Sequence, residues 1–170
     1  MTEAAGQSAV EAALWRFSLE FYSRPGVSEA LIALQDRAGR DVNLMLFVLW
    51  LGASGRGRLT DEELEIADRM VRPITAEIVV PLRVLRRKLK ADTDPDIQRL
   101  REGVKALELA AERIVQRHLA RIAGSPAGGA DRASRVAAAH ANLALYLGSE
   151  MARGRDAATI GEGLEAFLGR

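Results

Sequence analysis

The sequence has 170 residues, 24 basic and 23 acidic, and this near balance argues against a protein that coats nucleic acid. It contains no cysteine, which excludes disulfides, zinc knuckles and thiol catalysis. Its first residues lack a signal-peptide pattern, and its longest apolar run, residues 44–51, is far shorter than the roughly 20 residues of a membrane span, so we predict a cytoplasmic protein.

The first part of the chain is predicted to be helical, because good helix formers dominate and no stretch alternates as a strand does. The first helix begins at Ser8, which can form a capping box with Glu11, and runs to about residue 23. The second spans about residues 27–38. The third begins at Asp41 and carries the apolar run, so it belongs at the centre of a bundle.

The middle of the chain shows another start signal and two prolines. Thr60 and Glu63 form a second capping box, which opens a helix to about residue 71. Pro73 can occupy the first turn of the next segment, which continues to about residue 91. Pro81 lies inside that segment and should kink or divide it.

The longest predicted helix covers about residues 95–123, with Asp94 as its cap. It carries a seam with the three-and-four spacing of a coiled coil, formed by Ile97, Leu100, Val104, Leu107, Ala111 and Ile114. Two shorter helices, about 132–152 and 156–168, follow a glycine-rich linker. We predict an all-α compact bundle of about seven helices in one domain, 1–170, with subregions 8–91 and 95–170.

An ordered set of motifs in the N-terminal half resembles one known family. The motifs are Trp15-Arg16-Phe17-Ser18, Tyr22, Pro25-Gly26-Val27, Leu34-Gln35-Asp36, Asp41-Val42-Asn43-Leu44, Leu49-Trp50 and Pro81-Leu82-Arg83. Over roughly residues 12–90 the chain is similar to a family of small bacterial proteins, a domain of unknown function. The resemblance implies a helical bacterial protein and carries over no catalytic role.

Polar residues cluster around the second and third predicted helices and allow three interpretations. Asp41 and Asn43 can cap the third helix while Arg16 forms a buried ion pair. Alternatively, Arg16 holds an anionic ligand in an aromatic pocket. A divalent metal on Asp36, Asp41 and Asn43 is the third interpretation. The ligand-binding hypothesis involves Trp15, Arg16, Tyr22, Gln35, Asp36, Asp41, Asn43 and Trp50.

A basic segment, residues 83–90, is the most prominent charge feature. Its basic residues are Arg83, Arg86, Arg87, Lys88 and Lys90. They form a solvated helix face, a contact for the phosphates of nucleic acid or an anionic membrane surface, or a contact for an acidic protein.

No catalytic constellation emerges from the sequence. His118 and His140 lack the Glu-x-x-His spacing of di-iron bundles, and neither a phosphate-binding loop nor a nucleophile-elbow motif is found. We therefore expect a non-enzymatic interaction or adaptor protein, without a metal or other cofactor. Small-anion binding and association with nucleic acid are the alternative functions.

The expected partner is a second copy of this chain, and another protein is a further candidate. A homodimer would bury the seam of the long helix around a two-fold axis. Three arginines beside that seam, Arg113, Arg117 and Arg121, would then meet the partner's Glu108 and Glu112.

Overall fold

The structure, a computed structural model, describes residues 2–126 and 128–169, and in these residues the regular secondary structure is helical. This confirms the all-α bundle. A π-helical turn, Thr75–Val79, joins α4 to α5, and a 3₁₀ turn, Leu89–Ala91, follows α5. The α-helices are α1 Thr2–Tyr22, α2 Val27–Ala38, α3 Val42–Ala53, α4 Asp61–Ile74, α5 Val80–Lys88, α6 Pro95–Ile122, α7 Arg132–Leu147, α8 Ser149–Ala152 and α9 Arg155–Leu168.

The helix starts show which capping signals act. Asp41 caps α3, its Oδ1 accepting from the backbone N–H of Asn43 at 2.7 Å. Thr60 and Glu63 form the predicted capping box at α4. The start predicted at Ser8 is wrong: α1 begins at Thr2 and Ser8 lies inside it. Residues 2–7 include Glu, Ala and Gln, which propagate a helix well, so it extends past the candidate cap.

The two prolines disturb the middle of the chain differently from the prediction. Pro73 lies inside α4 instead of opening a new segment. The disturbance expected at Pro81 takes the form of the π turn directly before α5. Because proline has no N–H and its ring crowds the preceding turn, a locally wider helix accommodates it.

The centre of the bundle is α3, as predicted from its apolar run. All residues from Asn43 to Ala53 are buried, and α3 packs most extensively against α7. Gly52 permits this close approach, because a Cβ atom there would lie 2.1 Å from the backbone nitrogen of Ala139.

The long helix α6 packs along α4, the π turn and α5, and its other neighbours are α1 and α3. The predicted seam is displaced around the helix. Val104 and Ala111 are buried, but Leu100 and Leu107 are 54% and 60% exposed. Glu108 is buried instead, because two arginines of α5 bind its carboxylate.

The C-terminal helices α7 and α9 pack mainly on helices other than α6, so they do not bury its predicted seam. Helix α7 lies against α3, and α9 lies against α2. Within the described ranges, no helix has both the length and the apolar composition that crossing a membrane requires.

Candidate functional site

A cavity of about 320 Å³ lies where α1, α2, α3, α5 and α6 meet. Its walls combine apolar, neutral polar and charged side chains. They are Trp15, Ser18, Leu19 and Tyr22 of α1, Ile32 and Gln35 of α2, Val42, Asn43 and Leu46 of α3, Arg83, Arg86 and Arg87 of α5, and Lys105, Glu108, Leu109, Glu112 and Gln116 of α6.

An ion-pair network forms one side of the cavity. The Nε of Arg83 donates to the Glu108 carboxylate at 3.0 Å, and its Nη2 donates to Glu112 at 2.8 Å. Arg86 donates to both oxygens of Glu108. The Nη1 of Arg83 donates to the side-chain oxygen of Gln35. The inner part of the basic segment therefore faces the protein interior and is held by two acids of α6.

The two acids of this network differ in protonation behaviour. For Glu108, burial opposes ionisation, but hydrogen bonds and charges from Arg86 and Arg83 outweigh it, so its pKa lies below the ordinary value. For Glu112, burial dominates over the charge and hydrogen bond of Arg83, so its pKa is raised. Glu108 is thus the more firmly ionised counter-charge.

Three neutral polar side chains, those of Ser18, Asn43 and Gln116, form another part of the lining. The Nε2 of Gln116 donates to Oδ1 of Asn43 at 3.1 Å, and both residues are 4% exposed. Gln116 Oε1 and the Oγ of Ser18, which is 3% exposed, are buried without a hydrogen-bond partner in the described part of the chain. Leaving a buried polar atom unpaired is costly, so these two oxygens need explanation.

Aromatic side chains of α1 form a further wall. The Arg113 guanidinium lies 5.5 Å from the ring centroid of Trp15, a cation–π contact. Burial and the charge of Glu112 raise the pKa of Tyr22 against the opposing effect of Arg83 and Arg86, so its phenol stays neutral at physiological pH.

The structure brings together much of the predicted ligand site. Trp15, Tyr22, Gln35 and Asn43 all line the cavity. Asp36 accepts from Arg87 at 3.0 Å, and both side chains are nearly half exposed. Arg16 is exposed and does not line the cavity, so arginines of α5 take the position that the prediction gave to Arg16.

Besides Arg16 and Asp36, two more of the predicted ligand-site residues do not line the cavity. Asp41 caps α3 with one carboxylate oxygen and accepts from the Thr75 hydroxyl with the other, at 2.8 Å. Trp50 is buried near the opposite end of α3, with the Arg56 guanidinium 4.2 Å from its ring centroid.

The basic segment is also divided, because Lys88 and Lys90 are exposed and lie outside the cavity. The metal interpretation finds no shared site: Asp36 binds Arg87, Asp41 binds Thr75, and Asn43 binds Gln116. Among the residues that the structure describes, no group of three or more His, Asp or Glu side chains is arranged to hold a metal ion.

The sequence analysis did not assign the polar lining residues Ser18, Lys105, Glu108, Glu112 and Gln116 to this site. Glu108 carries a visible signal, because it lies between Val104 and Ala111 on the buried face of α6. A charge inside an apolar stripe indicates a buried partner.

A comparison with protein families shows to which family the chain belongs. Residues 13–119 match the family described as "Protein of unknown function (DUF2390)". The chain belongs to this family. The match confirms the resemblance predicted from the N-terminal motifs and extends beyond its expected limit near residue 90. No curated protein and no solved structure gave a significant match. All the residues that line the cavity fall within the DUF2390 region.

Proposed function

We propose that this DUF2390 protein binds a small anionic molecule with an apolar body in the cavity between α1 and α6. The observation that carries this proposal is the inward orientation of the α5 arginines over an aromatic wall. The predicted cytoplasmic location stays a prediction.

The charges of the cavity favour an anion. Of the described residues that line it, four are basic and two are acidic, and two of the basic residues, Arg87 and Lys105, also pair with Asp36 and Glu102 just outside the lining. A guanidinium has five N–H donors, and the contacts of Arg86 with Glu108 use its Nε and Nη2. Glu108 therefore fixes the orientation of Arg86 and leaves further donors for a carboxylate or phosphate.

The walls favour an apolar body of limited size. Leu19, Ile32, Leu46 and Leu109 line the cavity beside Trp15. A volume of about 320 Å³ lies at the lower end of the range of about 300–1,000 Å³ for ligand pockets. The site thus suits one small amphipathic molecule.

Calorimetric titration with three ligands of one shape tests the proposal. We expect 1-naphthyl phosphate to bind, and neutral 1-naphthol and cationic 1-naphthylmethylamine to bind at least about tenfold more weakly. Arg87→Gln should weaken phosphate binding, whereas Lys88→Gln, which removes the same charge outside the cavity, should not. Equal affinity for the three ligands would contradict the proposal.

Self-association through α6, in the role of an interaction or adaptor protein, is a second candidate function. It is supported by Leu100 and Leu107, which lie about two turns apart on the same face of α6 and are both more than half exposed. Glu108 and Glu112 bind arginines of their own chain, so they are not free to pair with the seam arginines of a second copy in the way that the sequence analysis predicts. The nucleic-acid alternative has weaker support, because Arg83 and Arg86 pair with these acids.

Light scattering on Leu107→Glu tests self-association. If α6 forms the interface, the wild-type protein is a dimer and this variant is a monomer with unchanged helicity. Val104→Glu is not a suitable probe, because Val104 is 5% exposed and the substitution would disrupt the core. A monomeric wild-type protein at high micromolar concentration would contradict this candidate.

A further inference from the structure

We propose that Glu112 competes with the ligand for Arg83, so that an anion binds in this cavity together with one proton, which the Glu112 carboxylate takes from the solvent. This inference rests on the proposed function and specifies how pH controls the same site. The observation that carries it is the ion pair of 2.8 Å between Nη2 of Arg83 and Oε1 of Glu112, because both residues line the cavity.

Arg83 has each of its three nitrogen atoms engaged inside the protein. Nε donates to Glu108, Nη1 donates to Gln35, and Nη2 donates to Glu112. Glu108 is more buried than Glu112, since their side chains are 6% and 25% exposed. The more exposed of the two acids thus occupies a donor that a ligand carboxylate or phosphate would use.

Each basic side chain that lines the cavity already has an acidic partner in the described part of the chain. Of these acids, Glu112 alone both lines the cavity and pairs with a single basic residue. When Glu112 is neutral, its charge no longer opposes that of the ligand and Arg83 keeps one fewer acidic partner. The pairs are Arg83 with Glu108 and Glu112, Arg86 with Glu108, Arg87 with Asp36, and Lys105 with Glu102.

Glu112 is also the weaker of the two acids in the cavity wall. Burial raises its pKa, the charge of Arg83 opposes this only in part, and the charges of Glu108 and Asp41 raise the pKa further. For Glu108, hydrogen bonds from Arg86 and Arg83 outweigh burial, so its pKa is lowered. A bound anion adds another negative charge beside Glu112 and so favours its protonated form.

Charged and titratable groups also face Glu112 from three other helices. They are Tyr22 on α1, Asp41 at the start of α3, and Arg83 and Arg86 on α5. The guanidiniums stay protonated, burial raises the pKa of Tyr22 so that its phenol stays neutral, and Asp41 lies outside the cavity lining. We therefore expect Glu112 to be the group that changes its charge when an anion enters.

The competition predicts tighter anion binding at lower pH. At high pH, Glu112 must take up a proton as the anion binds, whereas at low pH this proton is already present. Because a single proton is involved, the affinity should change by at most about tenfold per pH unit.

Calorimetric titration with 1-naphthoate tests the inference, because its carboxylate stays ionised above about pH 5. We expect the wild-type protein to bind it at least about threefold more tightly at about pH 5 than at about pH 8. Glu112→Gln should bind it about equally at both pH values and, at about pH 8, at least about threefold more tightly than wild type. Glu20→Gln, which removes an exposed acid of α1 outside the cavity, is the control and should keep the wild-type pH dependence.

Proton uptake is measured directly by repeating the titration at one pH in buffers with different ionisation enthalpies. The binding heat of the wild-type protein should depend on the buffer in the direction of proton uptake, and that of Glu112→Gln should not. Circular dichroism verifies that the variant folds, and the wild-type measurement tests the inference without it.

The outcomes separate the inference from the proposed function. If wild-type affinity is the same at both pH values, or its binding heat is independent of the buffer, no proton is taken up and the inference is wrong, while anion binding stands. If Glu112→Gln keeps the wild-type pH dependence, another group, such as a histidine, takes up the proton and the inference is also wrong. The same holds if 1-naphthyl phosphate binds and 1-naphthoate does not, because a carboxylate then fails to compete with Glu112. If neither ligand binds at millimolar concentration, the proposed function fails as well.

Discussion

Glu108 is the residue on which the charged side of the cavity depends. Its side chain is 6% exposed, and it binds both Arg83 and Arg86. Burying the Glu108 carboxylate between two partly buried guanidiniums is tolerable only because each charge has an opposite charge within hydrogen-bond distance. The network therefore fixes the positions of the two guanidiniums and adds little to the net free energy of unfolding.

Removing the charge of Glu108 should be much more damaging than removing that of Glu112. We expect Glu108→Gln to lower the free energy of unfolding by about 3 kcal/mol at neutral pH, because two partly buried guanidiniums lose their shared counter-charge. Glu112→Gln should cost clearly less, since burial already disfavours the ionised Glu112. Urea midpoints measure both effects, and equal losses would contradict the assigned roles.

The raised pKa of Glu112 also predicts a pH dependence. An acid whose pKa is higher in the folded state stabilises that state at low pH, and this contribution is lost as the pH rises through the folded pKa. Wild-type protein should therefore lose stability relative to Glu112→Gln between about pH 4 and about pH 7. Urea unfolding of both proteins at the two pH values measures the difference, and a constant difference would refute the raised pKa.

At the scale of elements, the central position of α3 follows directly from sequence. Leu49 is fully buried in it, whereas Leu100 on α6 is 54% exposed. Leu49→Ala should lower the free energy of unfolding by about 2–5 kcal/mol through lost burial and a cavity. Leu100→Ala should change it by no more than about 0.5 kcal/mol in the monomer. Urea titration of the two variants provides the comparison, and similar midpoints would be inconsistent with this core.

The crossing of α3 and α7 depends on one glycine. Gly52→Ala should destabilise by about 1–3 kcal/mol or more, because the added methyl group would meet the backbone of Ala139. Gly103→Ala, in the same type of helical site but with open space around it, should stabilise by about 0.5–1 kcal/mol. Thermal melting of both variants tests this, and a harmless Gly52→Ala would show that the helices cross elsewhere.

Local signals predicted local structure well. Asp41 and Thr60 start helices because their side chains bind nearby backbone amides, an interaction contained within four residues. The start of α1 and the π turn before α5 were missed, since several weak propensities and the packing of the turn decide them together.

The orientation of α5 and α6 could not be predicted in the same way. Their periodicity allows either leucines or arginines to face inward. In the structure Leu85 is 43% exposed, whereas only 14% of the Arg83 side chain is exposed. The deciding contact joins Arg83 to Glu108, 25 positions apart along the chain. Such a contact depends on how two helices pair, which no local pattern encodes.

At the scale of the whole molecule, the cavity lies within the region that matches the family. Helices α1, α2, α3, α5 and α6 supply all the lining residues, and the DUF2390 match ends within α6. Helices α7 and α9 pack on α3 and α2 and support the cavity from behind. The arrangement separates a binding region from its scaffold, so ligand contacts should be confined to α1, α2, α3, α5 and α6.

The two tryptophans allow a direct test of this central claim, because Trp15 lines the cavity and Trp50 is buried outside it. In a ¹⁵N–¹H correlation spectrum each indole N–H gives one signal, and Trp15→Phe identifies which is which. On titration with 1-naphthyl phosphate, we predict that the Trp15 signal shifts and saturates while the Trp50 signal stays in place. A Trp15 signal that does not move at millimolar ligand, or a shift confined to Trp50, would contradict binding in this cavity.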